Sequence, residues 1–102
     1  MEKEEIKRDG GKAQKNSGRG KIQKGDAQLD PFVYDIKEYG VSFGLSREVW
    51  AKICSDAYRS GNKEPALKIV LGRPDQKVRL WVIEDGMFQS MREAWLEKYG
   101  EG

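Results

Sequence analysis

Six residues do most to limit what this chain can become. Phe32-Val33-Tyr34-Asp35-Ile36-Lys37 is aromatic and β-branched with a period of two, the pattern of a strand. On a strand, Phe32, Tyr34 and Ile36 point to one face and can build a core, while Asp35 and Lys37 stand together on the other. Pro31 suits a strand's first residue, and Leu29-Asp30 before it suits a tight turn. A two-residue turn there pairs Gln28 with Pro31 and Asp26 with Val33. That register puts Asp26 on the face of Asp35, one diagonal step away, at roughly 5–8 Å between Cβ atoms. A longer loop would change the register and could turn Asp26 away.

Two carboxylates at that separation can share a divalent cation with oxygen ligands, Mg²⁺ or Mn²⁺. Such an ion activates water for phosphodiester hydrolysis, and a fixed lysine beside it adds a compact positive charge near the nucleophile or the scissile phosphate. The triplet acid-x-Lys is common by chance, and Glu5-Ile6-Lys7 and Asp75-Gln76-Lys77 match it too. Only Asp35-Ile36-Lys37 falls on an expected strand with an acid across a short turn. Spacing alone leaves two readings open: a metal site, or a solvated, salt-bridged strand face.

The chain has no histidine among its 102 residues. Ser-His and Cys-His nucleophilic machinery and Cys/His zinc sites are therefore excluded. Lone Cys54 falls on an apolar helix position and reads as core filler. No apolar run approaches the ~18 residues of a membrane span, and the acidic, lysine-rich start does not read as a signal peptide, so a cytoplasmic protein without membrane contact is expected.

Length favours one domain spanning residues 1–102. Glu2 to Asp9 reads as a short, weak helix ended by Gly10-Gly11. Residues 10–25 form a basic, glycine-rich segment; from Lys7 to Lys24 seven Lys/Arg face the single Asp9. This is expected to be a flexible arm whose Lys12, Lys15, Arg19, Lys21 and Lys24 grip backbone phosphates, with Ser17 as a further phosphate contact. The plainer reading is a solubilising tail. Ser46 opens a helix with Val49, Trp50, Ile53, Cys54 and Ala57 on its core stripe. Ala66–Leu71 and Val78–Ile83 read as an antiparallel hairpin, and Asp85 as the cap of a last helix whose Met87, Phe88, Met91, Trp95 and Leu96 face the core. The expected class is α+β, a mixed sheet flanked by helices in the order helix, hairpin, helix, hairpin, helix.

Glu2-Lys3, Gly10-Gly11, Ser17-Gly18, Lys24-Gly25-Asp26 and Asp35-Ile36-Lys37 together resemble small phage-type members of the PD-(D/E)xK nuclease superfamily, relatives of Holliday junction resolvases. The resemblance covers about the first half of the chain in motif terms. It implies a restriction-endonuclease-like core and a metal-dependent DNA endonuclease, phage-encoded and acting in the host cytoplasm, with branched DNA as substrate and a homodimer as the working form. Asp26 and Asp35 would be the metal carboxylates, Lys37 the catalytic lysine and Glu2 the helix acid that assists the metal, or Glu5 if the helix is shifted. Asp35 stands where a Glu is commoner. Asp30 reads as a turn former before an auxiliary ligand. The alternative is a non-catalytic nucleic-acid-binding module with Asp26 and Asp35 merely structural, and a third reading is a small protein-interaction domain.

Overall fold

The computed structural model describes residues 2–13 and 27–100, with side chains from Glu4 onward. In chain order the elements are α1 (Glu2–Asp9), β1 (Lys12–Ala13), β2 (Ala27–Leu29), β3 (Phe32–Tyr39), α2 (Arg47–Arg59), β4 (Glu64–Leu71), β5 (Val78–Ile83) and α3 (Asp85–Tyr99). The five strands form one mixed sheet in the order β1-β2-β3-β4-β5. All neighbours are antiparallel except β3 and β4, which run parallel through α2. The protein is α+β, a mixed sheet with helices on it. No described helix is long and apolar enough to cross a membrane.

β3 is the spine, and its alternation sorts the two cores as the sequence requires. Tyr34 and Ile36 join Ile6, Ala27, Ala66 and Val70 on the α1 face. The other face gathers Ile53 of α2 with Leu67 and Ile69, and Val49, Trp50 and Val82 pack against them. Asp35 lies beside Leu67 and Lys37 beside Ile69 in the parallel register, so both belong to the α2 face. Ser46 caps α2 as expected, its Oγ accepting from the Val49 amide at 3.1 Å. α1 ends at Gly10, whose φ of 78° favours glycine. Gly11 passes so close to the sheet that a Cβ would sit 3.0 Å from the Gln28 carbonyl oxygen and 3.1 Å from the Tyr34 hydroxyl.

Four expectations need correction. The tight turn is Asp30-Pro31, with Leu29 opposite Phe32, so Pro31 belongs to the turn rather than the strand. Lys12 and Ala13, assigned to the arm, form β1 against Gln28 and Ala27, which makes the first hairpin a three-stranded meander. Glu84, not Asp85, caps α3, its carboxylate accepting from the Gly86 amide at 2.8 Å. Finally, no residue of α3 is buried: Phe88, Met91, Trp95 and Leu96 stay largely exposed, so this helix does not close a core. Its apolar stripe is present, yet it does not cover the apolar side chains that β5 leaves partly exposed, Val78 and Leu80 on the α2 face and Trp81 on the α1 face.

Candidate metal and nucleic-acid site

Asp35 and Lys37 sit where the strand pattern puts them, two residues apart on one face of the central strand. Asp35 is buried, with 7% of its surface accessible, and Lys37 is half-buried. The carboxylate is thus set in a region of reduced dielectric. Asp26 lies outside the described residues. What is described is its neighbour: Ala27 stands opposite Tyr34. Moving the turn by one position changes the register by two, so the side of the sheet to which β2 residues point is the same as in the sequence reading.

Of the phosphate-gripping set, Lys12 is exposed on β1. Lys15, Ser17, Arg19, Lys21 and Lys24 lie outside the described residues. Glu2 is the first residue of α1, and its side chain lies outside them too. α1 packs on the face opposite to Asp35 and Lys37, through Ile6. Asp30 behaves as a turn former. Its Oδ1 accepts from Lys63 Nζ at 2.9 Å and from Gln28 Nε2 at 2.7 Å, and these bonds hold its carboxyl below the usual range. Among the described residues no three His, Cys, Asp or Glu side chains gather into a metal-holding group.

A second constellation, on the α1 face, escaped the sequence reading. Lys68 of β4 is 1% exposed and reaches Glu5 Oε1 at 2.7 Å and Asp9 Oδ1 at 2.6 Å. Arg79 of β5 grips Glu5 with both arms of its fork, Nε to Oε1 at 3.0 Å and Nη2 to Oε2 at 3.1 Å. The Tyr34 hydroxyl donates to Asp9 Oδ2 at 2.9 Å, and Tyr34 meets Trp81 edge to face with centroids 4.8 Å apart. The Lys68 ammonium lies 5.5 Å from the Trp81 ring centre. The hydrogen bond from Arg79, aided by Lys68 against the opposing effect of burial, holds the Glu5 carboxyl at about 2. Two acids balance two cations here, so the cluster has no net charge to attract a metal ion. It is a latch for α1, and it keeps Glu5 away from Asp35. One signal was readable: a lysine inside the apolar run Ala66–Leu71 must find acids if the strand is central.

Comparison with known proteins returns no match, whether to a family model, a curated protein or a solved structure.

Proposed function

We propose that the chain is a divalent-metal-dependent DNA endonuclease of restriction-endonuclease-like core, acting on branched DNA as a homodimer. The observation that carries this reading is the buried Asp35 with Lys37 on the same face of β3, next to the strand that Asp26 precedes. The reading requires Asp26 to follow on from Ala27 and come opposite Asp35. A helix, an antiparallel three-stranded meander, a second helix and a strand parallel to the third supply a topology that fits such a core.

The donor set suits Mg²⁺ or Mn²⁺: it is all carboxylate, in a chain without histidine. Asp26 and Asp35 would hold the ion. When bound it would lower the pKa of water and offset charge on the phosphate. Lys37, half-buried two residues along the same strand face, would supply the positive charge that stabilises the developing charge. Glu2 is dropped from the metal set, because α1 belongs to the other face. Lys12 starts the basic segment that would bind phosphates by counterion release.

The test is cleavage of branched and linear DNA with Mg²⁺ or Mn²⁺ by the natural chain, Lys37→Ala and Asp35→Asn, with thermal melts to confirm folding. Both variants should lose at least ~100-fold in rate and keep their DNA affinity. Salt-sensitive binding with no cleavage of any substrate would sink the enzyme and favour the non-catalytic module.

A further inference from the structure

We infer that β5 is a self-pairing edge: two copies of the chain join antiparallel through Val78–Ile83, so that their sheets become one. This names the surface for the homodimer of the proposed function, and it stands on the strand alone, not on the nuclease chemistry.

The sheet order leaves two edges, β1 with two residues and β5 with six. An edge strand offers a row of outward N–H and C=O groups to any extended chain, and natural edges are guarded by proline, a bulge, free charges or a covering helix. Among the described residues β5 has none of these. Its sequence, Val-Arg-Leu-Trp-Val-Ile, holds no proline and is mostly β-branched and aromatic. Its register with β4 runs unbroken from Val78 to Ile83. The nearby cations are engaged within the chain, Lys77 with Glu38 at 2.7 Å and Arg79 with Glu5 at 3.0 Å. α2 lies over β3 and β4, and α3 buries no residue although it starts just after the strand. Val78 and Leu80 on one face and Trp81 on the other are accordingly 53%, 46% and 44% exposed. Exposure on both faces of one bare edge fits a strand laid alongside it, rather than a surface pressed on one side.

The strand's own sequence names a second copy as that partner. An antiparallel pair of identical strands is related by a two-fold axis perpendicular to the sheet, which keeps each face on its own side. With the axis at Leu80, that residue meets the partner's Leu80, and Val78 meets the partner's Val82 on the same face. On the other face Arg79 meets the partner's Trp81. Apolar side chains thus meet apolar ones, a guanidinium meets an indole, and no like charges are opposed. Moving the axis to Trp81 would set Val78 against the carboxylate of Glu84, so the Leu80 register is the better one. One strand edge with three half-exposed side chains is smaller than the ~800 Å² per partner of a tight complex, so the dimer is a weak one, with a dissociation constant of about 10–100 μM.

The test is sedimentation of the full chain from about 10 μM to about 1 mM, with amide hydrogen exchange at both ends of that range. The natural chain should dimerise, and the outward amides of β5 should exchange at least ~5-fold more slowly in the concentrated sample. Leu80→Lys and Leu80→Glu each oppose two like charges at the axis and should weaken association at least ~10-fold, with unchanged circular dichroism. Mixing the two variants should restore a dimer, since lysine then faces glutamate. A natural chain that stays monomeric at ~1 mM overturns the inference. So does a dimer whose β5 amides gain no protection, a pair of variants that associate like the natural chain, or a mixture that stays monomeric. A monomer that cleaves DNA would remove this interface and leave the enzyme, and a β5 dimer that cleaves nothing would do the reverse.

Discussion

α1 and α3 invert what their compositions suggest. α1 has eight residues with one apolar side chain, Ile6, yet it is fastened to the sheet. α3 has fifteen residues rich in aromatic and sulfur side chains, yet none of them is buried. Burying Ile6 yields about 2 kcal/mol, while ordering eight backbone residues costs about 1 kcal/mol each, so apolar contact alone cannot hold α1 in place. The difference comes from Glu5 and Asp9, which meet Lys68 and Arg79 with every buried side-chain polar atom of the described residues paired. A helix docks where its side chains are answered, and an apolar stripe without a partner surface docks nowhere.

The sharpest way to break this comparison is to remove the lysine. Lys68→Ala leaves Glu5 and Asp9 buried with only Arg79 to offset them, and should cost about 3–5 kcal/mol in urea unfolding. Adding Glu5→Gln and Asp9→Asn to that variant removes the stranded charges and should recover part of the loss. A cost below ~1 kcal/mol for Lys68→Ala would show that α1 is held by something else. The opposite face should respond differently: Lys37 is half-buried, so Lys37→Ala should cost far less stability than Lys68→Ala, and on the proposed function its main effect would be on cleavage.

The second test is acid. The Glu5 carboxyl sits at about 2 in the folded protein against an ordinary 4.5. The unfolded chain therefore takes up the proton first as pH falls. The Glu5 contribution is complete above ~pH 5.5 and is lost between 4.5 and about 2, up to roughly 3 kcal/mol in all. Glu5→Gln should be less stable at pH 7 and should flatten this part of the pH profile. Parallel profiles for the two proteins would show that Glu5 is not the group responsible.

Much of the sheet was legible because its signals are local. Period-two runs gave β3, β4 and β5 to within two residues, and Ser46 with the Val49, Trp50, Ile53, Ala57 stripe gave α2. Asp35 and Lys37 share a face because alternation leaves no other choice. The turn was misplaced because Pro31 fits a turn's second position as well as a strand's first, and only pairing of Leu29 with Phe32 decides. A lysine inside an apolar run signals that acids must meet it, but which acids was not legible, because Lys68 meets Asp9 across 59 positions and no local pattern encodes that meeting. α3 misled for a related reason. Its spacing is that of a core-facing helix, but spacing does not say which surface of the chain would receive it.

Two smaller effects sharpen the contrast from each side. Tyr34→Phe removes the hydroxyl that donates to Asp9 and leaves the ring in the core, so a loss of about 1 kcal/mol is expected. Trp95→Ser should cost the isolated subunit less than ~0.5 kcal/mol, because the indole is 58% exposed and closes no cavity. Melting curves of both variants separate the two helices. A Trp95→Ser deficit of about 1 kcal/mol or more would mean that α3 packs on its own sheet, and the distinction between a latched helix and an unpartnered one would fall.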